Sequence, residues 1–128
     1  MNDSKNPLSP HLQIYRWQIS SLLSIVHRIT GILNLLGLIF ISVWILSAGL
    51  GENLYECFSF LLKSFFGKFI LIGFTWSMSF HLLAGIRHFF WDLGCGYEVK
   101  TANFSGIIVI VSSLVLTVIL WLTGRGLI

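Results

Sequence analysis

The sequence predicts an all-α integral membrane protein with three transmembrane helices. Of its 128 residues, 55% are hydrophobic and only 10% are charged, and the mean hydropathy is +0.86. Soluble domains carry about 25% charged residues, so a soluble globular protein is excluded. Three stretches lack Asp, Glu, Lys and Arg: residues 29–51, 69–86 and 101–124. Because roughly 20 apolar residues cross a bilayer as a helix, each stretch is long enough to span one.

The first helix is expected to start before its uncharged stretch and the second to end after its own. Residues 21–26 are already apolar or small, which places the start of the first helix near Ser20. Gly94 and Gly96 are the first stop signals of the second helix. The sequence therefore predicts one domain whose transmembrane helices cover about 20–47, 69–92 and 104–124.

The segments between these helices are predicted to be loops, at about 50–68 and 93–103. Residues 1–19 form a polar N-terminal arm with two prolines. The arm has no apolar segment of the kind found in signal peptides, so we expect it to remain attached.

Charge and cysteine content exclude two further classes of function. Eight Lys and Arg residues against five Asp and Glu give a net charge of +3, too few and too scattered to bind nucleic acid. Cys57 and Cys95 are far apart and have no histidine at zinc-ligand spacing, so neither a disulfide framework nor a structural metal is expected.

The distribution of basic residues predicts the orientation in the membrane. Three spans put the N-terminus and the second loop on the same side. The positive-inside rule therefore places the N-terminus in the cytoplasm or the mitochondrial matrix. Five basic residues fall on that side (Lys5, Arg16, Arg28, Arg87, Lys100) and three on the other (Lys63, Lys68, Arg125).

Two polar clusters interrupt the apolar helices. Ser24, His27 and Arg28 stand at i, i+3 and i+4 on the first helix and share one face. Gly31, one turn after His27, leaves that face open to a partner helix or a flat ligand. Ionisable side chains inside a membrane are costly, and they are therefore candidates for function.

The second cluster forms a stripe on the second helix. Its members are His81, Gly85, His88 and Asp92, at i, i+4, i+7 and i+11. An imidazole with a glycine one turn away suits a planar macrocycle, because the nitrogen can bind the iron and the ring can lie against bare backbone. His88 and Arg87 are candidates to hold its propionates.

Each cluster also has a structural explanation. A histidine or arginine near a helix end can extend its polar group to the membrane surface, and a glycine can serve only helix packing. Depth argues for a shared site, because Arg28 and His81 both lie ~12 to 17 Å from the same membrane face at 1.5 Å per residue.

Three motifs together resemble a known family. Residues 9–15 (SPHLQIY), 24–31 (SIVHRITG) and 81–92 (HLLAGIRHFFWD) are similar, in order and spacing, to the cytochrome b membrane anchor of succinate dehydrogenase, the larger anchor of respiratory complex II. The resemblance extends from about Ser9 to the end of the chain and implies a place in a heteromeric helix bundle.

The resemblance implies roles for individual residues. His81 corresponds to one axial ligand of the b-type haem iron, and the smaller anchor subunit supplies the other. Ser24 and Arg28 correspond to residues of the ubiquinone site. His27 and Arg28 correspond to groups near the haem propionates, and His88 to a histidine near the haem edge. No catalytic residue is assigned.

The implied function is to anchor an iron–sulfur subunit and a flavoprotein subunit and to pass electrons from succinate to ubiquinone. The chain has no flavin motif and no cysteine set for an iron–sulfur cluster, so it is not catalytic alone. The expected location is a bacterial or mitochondrial inner membrane. Two alternatives stay open: the anchor of a menaquinol-oxidising fumarate reductase, and a membrane scaffold without redox function.

Overall fold

The computed structural model describes residues 17–125, and within that range the chain forms four α-helices. Three of them are long and apolar enough to cross a bilayer, so the predicted all-α membrane fold with three spans is confirmed. The SPHLQIY motif and most of the predicted N-terminal arm lie outside the described residues. The helices are α1 (Ile19–Leu50), α2 (Glu52–Lys63), α3 (Phe65–Asp92) and α4 (Val99–Arg125).

The prediction of a loop over about residues 50–68 is wrong, because α2 fills most of it. This helix is amphipathic and short, so a search for long uncharged stretches does not detect it. Glu52 in its first turn and Lys63 in its last turn complement the helix dipole. Gly51 forms the corner after α1 with φ of 142°, a conformation that favours glycine.

The three spans are also longer than predicted. α1 ends at Leu50 instead of about 47, α3 begins at Phe65 instead of 69, and α4 begins at Val99 instead of 104. The expected bounds of α3 and α4 followed the charged residues Lys68 and Lys100, which mark the edge of the apolar stretch. Helical backbone continues past that edge, since long charged side chains reach the headgroup region.

α3 packs against both α1 and α4 and forms the centre of the bundle. Its residues Phe80 and Ala84 contribute to a small buried cluster with Leu23 of α1 and Val109 of α4. A Cβ atom at Gly37 of α1 would overlap a side chain of α3. Small residues let membrane helices approach closely, and this close approach sets the polar residues of α1 against those of α3.

Candidate functional site

Three histidines stack at the interface between α1 and α3. The rings of His27 and His81 are nearly parallel, with an interplanar angle of 9° and centroids 4.1 Å apart. The ring of His88 stacks on His27 at 5.2 Å and 18°. The structure therefore brings together three histidines that lie 54 and 7 residues apart in the sequence. The two polar clusters form one site.

His81 is held by hydrogen bonds to α1. Its Nδ1 lies 3.2 Å from the carbonyl oxygen of His27 and 3.2 Å from Oγ1 of Thr30. A carbonyl oxygen can only accept, so Nδ1 of His81 carries the proton in this arrangement. The neutral ring then has its lone pair on Nε2, which is the form in which an imidazole binds a metal.

His27 presents a polar atom with no partner. Its Nε2 is buried and makes no hydrogen bond within residues 17–125. A buried polar nitrogen without a partner is costly. The site therefore fits a polar group supplied from outside this part of the chain.

His88 borders a cavity on the side of the bundle nearest the described N-terminal residues. Its Nδ1 lies 2.8 Å from the carbonyl oxygen of Ala84, one turn back on α3, and its ring meets Trp91 edge-on. The cavity has a volume of about 420 Å³. It is lined by side chains of α1 and α3, namely Ser20, Ser21, Ser24, Ile25, Arg87, His88 and Trp91.

Ser24 and Arg28 do not share this cavity. Ser24 is half-buried and lines it, whereas Arg28 is exposed on α1 and is absent from its wall. Arg28 makes no hydrogen bond or ion pair with the other residues of the described range. Its guanidinium is free to meet a group from outside this chain.

Arg87, which the sequence suggests as a propionate contact, turns its guanidinium toward α4 and also borders the cavity beside His88. Only 7% of the residue is exposed. Its Nε donates to Oγ of Ser105 at 2.9 Å and its Nη2 to the carbonyl oxygen of Ala102 at 2.8 Å. The guanidinium also lies 3.9 Å from the ring centroid of Trp91. Polar atoms at the start of α4 therefore satisfy this buried cation, and the sequence contained no pattern that pairs α3 with them.

Two glycines near His81 have different surroundings. A Cβ atom at Gly31 would lie 3.3 Å from Cε1 of His81, so the imidazole packs directly on that glycine. A Cβ atom at Gly85 would meet nothing within 4 Å. Within the described part of the chain, the space beside Gly85, one turn after His81, is open, and a flat ligand needs such a space.

Sequence reasoning missed a polar path that runs along α1 and α3 from His81. Oγ of Ser77 donates to Oδ1 of Asn34 at 2.8 Å and to the carbonyl oxygen of Thr30 at 3.3 Å. Thr30 in turn contacts His81. The positions Thr30 and Asn34 follow His27 at helical spacing, and this periodicity was the available signal.

Comparison with known proteins gives a consistent result. A family model described as the succinate dehydrogenase/fumarate reductase transmembrane subunit matches residues 2–120. The chain is 39% identical over 119 residues to the succinate dehydrogenase cytochrome b556 subunit of Paracoccus denitrificans, covering 93% of this chain and 92% of that protein. The same subunit of Rickettsia prowazekii is 44% identical over 118 residues, covering 92% of each chain. The mitochondrial cytochrome b560 subunit of Mus musculus is 37% identical over 116 residues, covering 84% of this chain and 65% of that protein.

Proposed function

Because the chain belongs to the succinate dehydrogenase/fumarate reductase transmembrane subunit family, we propose that it is the larger membrane anchor of a succinate dehydrogenase. In this role it binds haem b together with a smaller anchor subunit. It also forms part of the site at which ubiquinone is reduced. An iron–sulfur subunit and a flavoprotein subunit dock on the membrane arm and supply the electrons from succinate.

The observation that carries the proposal is the hydrogen bonding of His81. Its Nδ1 proton is engaged by α1, so Nε2 is available as an axial ligand of a haem iron. Two further features fit a haem, namely the open space beside Gly85 and the buried unpartnered Nε2 of His27. The names of the relatives, cytochrome b556 and b560, agree with a b-type haem.

Haem b, when bound, supplies a one-electron carrier. His81 would hold its iron through Nε2, and the smaller anchor subunit would supply the other ligand. His27 and Arg28 would contact the propionates, and His88 would contact the haem edge. The stacking of His27 on both His81 and His88 restricts the rotation of the three rings.

Ser24 and Arg28 act on the quinone. The reduction of ubiquinone consumes two electrons and two protons, and negative charge develops on a quinone oxygen before a proton arrives. The hydroxyl of Ser24, in the wall of the cavity, and the guanidinium of Arg28, one turn further along α1, stabilise that charge, and a fixed cation does so strongly in a site of low dielectric. The free guanidinium of Arg28 supports this assignment, since no group of the described chain neutralises it.

The proposed location is the inner membrane of a bacterium or a mitochondrion, with the N-terminus on the cytoplasmic or matrix side. Bacterial and mitochondrial relatives support the membrane. The excess of basic residues on the N-terminal side supports the orientation. In this orientation Ser24, Arg28 and His88 lie near the face on which the water-soluble subunits dock.

The test is an optical and chemical analysis of the purified native complex. We expect b-type haem bands in the reduced-minus-oxidised spectrum, bound ubiquinone, and succinate-dependent quinone reduction. A complex with neither haem bands nor bound quinone would be a scaffold without redox function. A complex that contains menaquinone and runs faster from menaquinol to fumarate would be the fumarate reductase of the same family.

Substitution of Gly85 by alanine tests where the haem lies. A Cβ atom there meets nothing among residues 17–125, and alanine favours a helix by about 1 kcal/mol over glycine. In the absence of a ligand, the Gly85→Ala substitution would therefore be tolerated. We expect instead a lower haem content, because the added methyl group enters the space assigned to the macrocycle.

The control for this variant is Gly73→Ala, on the same helix and also without a neighbour within 4 Å. We expect Gly73→Ala to retain the wild-type haem-to-protein ratio. Equal ratios in both variants would mean that the haem does not lie against Gly85.

A further inference from the structure

The side chain of Thr30, on α1, forms a hydrogen bond with the side chain of His81. It is almost fully buried, with 1% of its surface exposed. Its Oγ1 lies 2.9 Å from the carbonyl oxygen of His27 and 3.2 Å from Nδ1 of His81. The Thr30 hydroxyl therefore contacts both Nδ1 of His81 and the carbonyl oxygen of His27, to which the same Nδ1 also bonds.

Two buried hydroxyls of α4 bond only within their own helix. Ser113 donates to the carbonyl oxygen of Ile110 at 2.8 Å, and Thr117 donates to that of Ser113 at 2.8 Å. Such bonds satisfy a polar group inside a membrane helix and need no further explanation. Thr30 makes the same kind of bond and also reaches the opposite helix.

The count of protons fixes the direction of each bond. The Thr30 hydroxyl has one proton, and it is donated to the carbonyl oxygen of His27, which can only accept. Toward His81 the same oxygen is therefore an acceptor. Nδ1–H of His81 is shared between Oγ1 of Thr30 and the carbonyl oxygen of His27.

The surroundings hold this arrangement in place. The carbonyl oxygen of Thr30 accepts from Oγ of Ser77 on α3, which fixes the backbone of α1 at this point. The imidazole of His81 is packed against Gly31, where even one Cβ atom would be tight. A turn of the ring that exchanged its two nitrogens would give up both hydrogen bonds of Nδ1.

We propose that Thr30 is a positioning residue for His81: together with the carbonyl oxygen of His27, its hydroxyl keeps the proton on Nδ1, directs Nε2 away from α1, and makes the imidazole a stronger electron donor. This inference rests on the proposed role of His81 as an axial haem ligand. An acceptor for the distal N–H raises the basicity of a ligating histidine and favours the oxidised iron. Thr30 thereby lowers the reduction potential of the haem.

The test compares variants of the complete complex by redox titration and by the rate of haem loss. Thr30→Val removes the hydroxyl at nearly constant volume. We expect its haem potential to rise and its haem to be lost faster, since losing an outer-sphere partner usually lowers metal affinity about 10- to 100-fold. Thr30→Ser restores the hydroxyl and is expected to restore both values.

Thr117→Val is the matched control, because it removes a buried threonine hydroxyl that bonds only within α4. We expect it to have the wild-type potential. A Thr30→Val complex with an unchanged or lower potential would overturn the inference, and so would a Thr30→Ser complex that resembles Thr30→Val.

Thr30→Ala is the second variant, for use if the Thr30→Val complex does not assemble. It removes the hydroxyl without adding a methyl group in its place. The same criteria then apply. Failure of both variants to assemble would make Thr30 a folding residue and would also overturn the inference. Failure of the proposed function is recognised separately, because the low-spin haem spectrum would then survive removal of His81 itself.

Discussion

Replacement of His81 by leucine is expected to remove the low-spin b-type haem spectrum from the assembled complex. Leucine keeps the apolar volume but supplies no nitrogen for the iron, so one axial bond is lost. The affinity for haem should fall by more than the roughly 10- to 100-fold that loss of an outer-sphere partner costs, and the haem content should fall with it. The measurement is the haem-to-protein ratio of the purified complex together with its low-temperature electron paramagnetic resonance spectrum.

His88→Leu is the comparison for this variant, because His88 is the other histidine of the stack on α3. Its Nδ1 bonds to its own helix, so its Nε2 is also available to a ligand. We expect His88→Leu to retain the low-spin spectrum, with altered haem-edge properties. The opposite pattern, with low-spin haem lost in His88→Leu and kept in His81→Leu, would make His88 the ligand.

Replacement of Arg28 by leucine is expected to reduce quinone reduction much more than replacement of Ser24 by alanine. A hydrogen bond from a charged group contributes ~1.5–3 kcal/mol, about 13- to 160-fold, and a neutral one ~0.5–1.5 kcal/mol, about 2- to 13-fold. The measurement is the ratio of quinone reductase activity to succinate oxidation with an artificial acceptor. This ratio corrects for incomplete assembly, because the artificial acceptor bypasses the membrane site.

Arg28→Lys is the matched control, since it retains the positive charge but not the forked donor geometry of the guanidinium. We expect its activity ratio to lie between those of the wild type and Arg28→Leu. A wild-type ratio in Arg28→Leu would restrict Arg28 to propionate binding or to contact with a neighbouring subunit.

The apolar composition made the three membrane spans predictable, but it did not predict α2. A membrane span is a long uninterrupted pattern, and three such patterns account for α1, α3 and α4. A helix of 12 residues with charges at both ends gives a much weaker signal. Its position depends on side-chain contacts with α1, including the stack of Tyr55 on Trp44, and a single sequence does not reveal such pairings.

The meeting of the two polar clusters was predictable from depth, but its hydrogen bonding was not. Helical rise places His27 and His81 at one level of the membrane, and their rings stack. The bond from His81 to the carbonyl oxygen of His27 depends on helix rotation, which close packing at glycines sets. The turn of Arg87 toward Ser105 likewise depends on how α4 lies against α3.

The loop after α3 is cross-linked by its own aromatic residues. Nε1 of Trp91 donates to the carbonyl oxygen of Gly96, the hydroxyl of Tyr97 donates to the carbonyl oxygen of Trp91, and the two rings stack at 6.1 Å. Arg87 ties the same tryptophan to the start of α4. A surface that is ordered before contact loses little conformational entropy on binding. A partner that contacted this end of the bundle would therefore meet a loop whose own side chains already hold its shape.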